Sequence, residues 1–156
     1  MKHMNPYLTK AMDAYPYQLE AAVEALGYAL SYDAGNVHAP VLMGRVYAEQ
    51  MHNYAEAIRC YEEALSCDLE AVIIFPYYVR ALILYEEYER ALNLIAYAQT
   101  VKGVDKVDMI LHKIVIEEKT GHFNKALKLL KEMRKMVWHS HYNDWMDETE
   151  KRLKSK

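Results

Sequence analysis

Apolar and polar positions alternate along this chain with a helical period, and the same short pattern returns four times. It reads Leu19-x-x-Ala22-x-x-x-Leu26-x-x-Ala29, then Tyr54-x-x-Ala57-x-x-x-Tyr61-x-x-Ala64. It returns as Tyr88-x-x-Ala91-x-x-x-Ile95-x-x-Ala98, and finally as Phe123-x-x-Ala126-x-x-x-Leu130-x-x-Met133. The lead alanines Ala22, Ala57, Ala91 and Ala126 are 35, 34 and 35 residues apart. Offsets of three, four and three put each set on one stripe of a helix. The small residue admits a neighbouring helix, and the large ones fill the space beside it. Such a stripe cannot be buried within its own helix, so each needs a partner helix before it.

Those partners are present in the pattern. Pro40 to Met51 carries Met43, Gly44 and Tyr47, and Phe75 to Glu86 carries Phe75, Tyr78, Val79 and Leu82. Val107 to Thr120 carries Ile110 and Ile114, with Glu117 as an acidic exception. Short breaks separate each pair at Met51-His52-Asn53, Tyr85-Glu86-Glu87 and Thr120-Gly121-His122. Pro76 disfavours helix at Phe75, so the helix there is expected to start at or just before Pro76, with Ala71 to Ile74 as an irregular lead-in.

The second unit gives the fullest motif. Leu42-Met43-Gly44-Arg45-Val46-Tyr47 is followed by Tyr54-Ala55-Glu56-Ala57-Ile58 and by Tyr61-Glu62-Glu63-Ala64-Leu65. These residues resemble the tetratricopeptide repeat (TPR) family, over roughly Leu19 to Lys135. One extra residue falls around Met51 to Asn53. Val79 and Ile114 stand where the family has a small residue, and Asp68-Leu69 where it has a proline. The resemblance implies an all-α, right-handed superhelical solenoid of helical hairpins in a single domain, 1–156. It comprises a truncated leading hairpin, 6–33, and full repeats at about 37–68, 72–101 and 107–137. A capping helix follows at about 143–154, with Asn143 as its N-cap and with Trp138 and Trp145 sealing the last repeat.

In that family the first helices of the units line a concave groove that holds a peptide or helix of a partner protein. Carried over by position, the groove residues are His38, Val41, Arg45 and Glu49, then Ile73, Tyr77, Arg80 and Leu84. The last unit supplies Asp108, Leu111, His112 and Val115. Val41, Ile73 and Tyr77 stand where chaperone-binding members use Lys and Asn, which argues against that partner class. Arg45 and Arg80 are the expected donors and Tyr77 the expected apolar anchor. The opposing reading pairs each arginine with a local acid such as Glu49 and packs Tyr77 into its neighbour.

Composition narrows the function classes. Of 156 residues, 53% are hydrophobic and 26% charged, with 5 Gly and 4 Pro, which fits a folded helical domain. Tyrosine is abundant, with 14 copies against 2 Phe and 2 Trp, and its polar tip suits half-wet contacts. No phosphate-binding, nucleotide-binding, metalloprotease or nucleophile-elbow motif is present, so the expectation is a non-enzymatic interaction module without cofactor. His139-Ser140-His141 with Asp144 reads as a polar turn rather than a metal site. Glu62-Glu63 and Glu86-Glu87 read as solvated faces.

Charge is uneven. Residues 1–101 carry 6 Lys and Arg against 13 Asp and Glu, while residues 102–156 carry 13 against 9. Lys125, Lys128, Lys131, Arg134 and Lys135 form a basic run whose plain reading is an outward helix face. Its alternative is a surface for nucleic acid or an acidic partner. A further alternative is homo-oligomerisation through the ends or the convex face. Cys60 and Cys67 lie two helical turns apart, too far for a bridge within one helix. Free thiols, with no apolar leader and no run of membrane-spanning length, make a cytoplasmic protein the expectation.

Overall fold

The computed structural model describes residues 5–137 and 140–156, and every regular element among them is helical. In chain order these are α1 (Pro6–Ala14), α2 (Leu19–Tyr32), α3 (His38–Arg45), α4 (Tyr54–Cys67) and α5 (Ile74–Leu84). They continue as α6 (Tyr88–Ala98), α7 (Lys106–Lys119), α8 (Phe123–Met136) and α9 (Asn143–Lys154). Alpha-3 runs on through a π turn, Val46–Gln50, and a 3₁₀ turn, Ser140–Tyr142, leads into α9. Two compact units result, Met1–Tyr85 and Glu86–Lys156. Their boundary falls inside the turn assigned above to the repeat at 72–101.

Local chemistry explains where the helices begin. Asn5 caps α1 by accepting from the Tyr7 and Leu8 amides at 3.1 and 3.2 Å, and Pro6 follows at a position that needs no donor. The same buried side chain donates to the Ala29 carbonyl at 3.0 Å, which joins the start of α1 to the end of α2. Asn53 caps α4 through the Glu56 amide, and Asp105 caps α7 through Val107 and Asp108. Alpha-7 ends at Gly121 with φ of 82°, and the His122 amide returns to the Glu117 carbonyl at 2.8 Å. Two other turns use the left-handed conformation without glycine, at His52 and Glu86.

The four stripes bury as their spacing requires. Ala22, Ala57, Ala91 and Ala126 have no exposed surface, and Leu26, Tyr61, Ile95 and Leu130 are at most 2% exposed. Within the first unit, α1 packs on α2, α3 on α4, and α4 on α5. Gly44 of α3 lies under the Tyr61 ring of α4, so close that a Cβ would stand 2.8 Å from Tyr61 Cζ. Tyr61 in turn meets Tyr78 of α5 with ring centroids 6.0 Å apart.

In the second unit α7 packs on α8 and α8 on α9 around Ile110, Ile114, Leu130, Met133, Met146 and Leu153. Trp145 packs half-buried against this cluster, whereas Trp138 and His139 lie outside the described residues. Arg152 of α9 makes a two-point bridge to Glu118 of α7 at 2.6 and 2.9 Å. Arg134 of α8 reaches Asp147 and Glu150 of α9 at 2.9 and 2.7 Å. The expected acidic exception is real: Glu117 is 6% exposed, its Oε2 lies 3.3 Å from His122 Nδ1, and that oxygen accepts no hydrogen bond.

The boundary at Pro76 falls within one residue of the expectation, and two other details differ from the sequence reading. Helix α5 begins at Ile74, so Pro76 is its third residue and its missing amide falls in the first turn, where no intrahelical partner exists. Asn143 is the first residue of α9 rather than its N-cap; Tyr142 stands before it and makes no capping bond. The residue counted as extra between α3 and α4 is taken up by the π turn, which holds one residue more per turn than an α-helix.

Candidate binding groove

The first unit gathers the groove residues of α3 and α5. Arg45 is the centre of the arrangement. Its guanidinium carbon lies 4.8 Å from the Tyr77 ring centroid and 5.1 Å from that of Tyr15, so the cation sits against two aromatic faces. Arg45 Nε donates to Glu49 Oε1 at 3.1 Å, one turn along. The Tyr15 hydroxyl donates to the other Glu49 oxygen, and Gln50 Nε2 donates to the Tyr15 hydroxyl at 3.4 Å.

This closed set decides what Arg45 can still do. Burial opposes its charge, but the Glu49 hydrogen bond and the Glu49 carboxylate outweigh that, and its pKa rises above the ordinary arginine value. Burial pushes the Tyr15 phenol up as well, reinforced by its bond to Glu49. Both groups keep their protons throughout the neutral range. Arg45 Nη1 and Nη2 make no hydrogen bond among the described residues, and 31% of the side chain is exposed. The two Nη groups of a planar fork are therefore left without a partner on a side chain held by Glu49 and two rings.

Recesses lie on both sides of Tyr77. One, of about 170 Å³, is walled by Met12, Tyr15, Pro16, Ile73 and Tyr77, with Val41 in its floor. His38 and Arg45 supply its polar atoms. The other, of about 210 Å³, is lined by Glu49, His52, Tyr54, Tyr77, Arg80 and Leu84. Arg80 is exposed and forms no ion pair among the described residues. The first unit carries ten Asp and Glu against five Lys and Arg, yet Glu49 is the one acid on α3, its π turn or α5. The groove face is thus locally cationic on an acidic unit.

The expected residues fare differently. His38, Arg45, Glu49, Ile73, Tyr77, Arg80 and Leu84 line one recess or the other. Val41 does too, but at 2% exposure it supplies floor rather than reach. The local-pairing alternative holds for Arg45, which takes Glu49, and does not hold for Arg80. On α7, within the second unit, His112 is 7% exposed, with Nδ1 2.7 Å from the Asp108 carbonyl and 3.5 Å from its carboxylate. Leu111 packs against that unit's core. His112 thus pairs within its own helix.

Tyr15, Met12 and Pro16 were missed. Met12 is near the end of α1, and Tyr15 and Pro16 lie in the link between α1 and α2, where no repeat position exists to flag them. The one available signal is Tyr15-Pro16-Tyr17, a pair of large rings at a turn. Among the described residues no three or more of His, Cys, Asp or Glu are grouped to hold a metal, and no helix is long and apolar enough to cross a membrane. Cys60 and Cys67 are both free, and burial raises the Cys60 thiol to about 11.

No known family model matches the chain, and no curated protein matches it.

Proposed function

We propose that this chain is a TPR-like right-handed solenoid, non-enzymatic, whose α3–α5 groove captures a short segment of a partner protein. One observation carries the reading: Arg45, packed against the Tyr15 and Tyr77 rings in the wall of one recess, keeps two Nη groups without a hydrogen-bond partner among the described residues. Backbone groups inside helices are already paired, so donors for a bound segment must come from side chains, and these are placed for it. A carboxylate or main-chain carbonyl would take the Arg45 fork. An apolar side chain would fill the recess beside Met12 and Ile73, and Arg80 would meet a second acceptor. Buried aromatic and arginine residues are the side chains that dominate such contacts. Free thiols at Cys60 and Cys67 agree with a reducing, cytoplasmic setting.

A random peptide display library, selected on the purified protein, tests this directly. Recovered peptides should share a carboxylate next to a bulky apolar residue. Their affinity for Arg45→Ala/Arg80→Ala should fall about tenfold or more, ~1.4 kcal/mol. Binding that survives the double variant but is lost in Lys128→Glu/Lys131→Glu would move the function to α8.

A further inference from the structure

The first and last helical hairpins present faces that no part of their own units covers, and the two faces are opposite in charge. On α2, Glu20, Glu24, Tyr28 and Tyr32 form one row at intervals of four, all exposed. Tyr7 of α1 joins it, with its ring centroid 5.4 Å from Tyr28 and 5.8 Å from Tyr32. Tyr28 and Tyr32 are 55% and 57% exposed, a large apolar area to leave in water. The result is a ridge, aromatic at one end and acidic at the other. Neither glutamate has an ion-pair partner among the described residues.

A cleft of about 550 Å³ lies between α8 and α9. Its floor is Leu127 and Leu130, and its rim is Lys128, Lys131, Arg134 and Lys154. Arg134 and Lys154 are already committed to Glu150, but Lys128 and Lys131 are exposed and unpaired among the described residues. The cleft is thus apolar below and cationic along α8. The same asymmetry runs through the units, which carry five Lys and Arg against ten acids in the first and fourteen against twelve in the second.

We propose that the Tyr28–Glu20 ridge of one copy docks in the α8–α9 cleft of a second copy. Tyrosine rings cover Leu127 and Leu130, while Glu20 and Glu24 reach Lys128 and Lys131. Charge complementarity selects this occupant, since a second copy offers both the apolar area and two unpaired carboxylates on one row. The contact uses different surfaces on the two copies, so it can propagate from copy to copy unless the rotation closes a ring. It is independent of the Arg45 groove.

Sedimentation velocity over a wide concentration range, at low and at high salt, is the test. Wild type should grow in mean mass with concentration, and 1 M salt should reverse this because the screening length falls to about 3 Å. Glu20→Lys/Glu24→Lys and Lys128→Glu/Lys131→Glu should each weaken self-association at least about tenfold. Mixing the two variants should restore it, because each then meets a complementary charge. Circular dichroism melts confirm that both variants remain folded. A monomer at every concentration, or association untouched by either pair, overturns the proposal. So does association abolished by Arg45→Ala instead.

Discussion

The Tyr61 ring packs directly against Gly44, and the two residues set how closely α3 and α4 approach. A Cβ on residue 44 would come within 2.9 Å of Tyr61 Cδ1 and nearer still to other ring atoms. Tyr61 is 1% exposed and also meets the Tyr78 ring at 6.0 Å between centroids, so a shift of the ring would disturb that packing. Gly44→Ala should therefore destabilise the first unit despite alanine's better helix propensity, by about 1–3 kcal/mol from overpacking. A thermal melt of the full chain checks it. Combining it with Tyr61→Leu should recover part of the loss if the clash is the cause.

Ala57 is the small member of the same contact surface and is fully buried. Ala57→Leu should overpack the α3–α4 hairpin by ~1–3 kcal/mol. An unchanged melting curve would mean that α4 can rotate away from its stripe.

Arg45→Lys separates charge from shape. Lysine keeps the cation but not the plate that packs against Tyr15 and Tyr77 or the fork with its two unpartnered Nη groups. Selected peptides should lose about tenfold in affinity, close to the effect of Arg45→Ala. Binding at the wild-type level would show that a point charge suffices and that the aromatic packing is incidental.

Acid should loosen α9 first. The Arg152 hydrogen bonds hold the Glu118 carboxyl below the usual carboxylate range, against a smaller opposing effect of burial. A depressed folded-state pKa gives stability that is present above the unfolded value, about 4.3, and lost as pH falls through the folded one. Protection of the α9 amides should therefore weaken below about pH 4, measured by hydrogen exchange. In Glu118→Gln that pH dependence should flatten. The coupling of Glu118 with Arg152 should be about 0.5–1 kcal/mol, since the arginine is half exposed.

The helical pattern could be read because one contact repeats. An alanine with a large residue four positions on leaves few alternatives to a buried helix stripe, so Ala22, Ala57, Ala91 and Ala126 fix four helices and their faces. Gly44 stood out only as part of the Leu42–Tyr47 motif, and its contact with Tyr61 was not legible. The clamp on Arg45 was only half legible. Arg45, Glu49 and Tyr77 occupy helix positions whose direction follows from spacing, whereas Tyr15 sits in a link whose path no periodicity records. Asn143 failed as a cap because capping depends on the backbone before it, and the 3₁₀ turn at Ser140–Tyr142 occupies that place.

The π turn at Val46–Gln50 gives the chain an adjustable joint. Helices before and after it are fixed by their own stripes, through Gly44 on one side and Ala57 on the other, so its surplus residue changes chiefly the angle at which positions 47–50 are presented beyond the buried Val46. Each residue of a regular helix advances ~100° around the axis. Deleting Ala48 would let α3 run regularly to its end and turn Glu49 away from Arg45 and Tyr15, while the apolar contacts of α3 with α4 stayed in register. Recognition and folding are thereby written on separate segments a few residues apart. One inserted or lost codon could retune what the groove accepts without the many compensating substitutions that a change inside a stripe would demand.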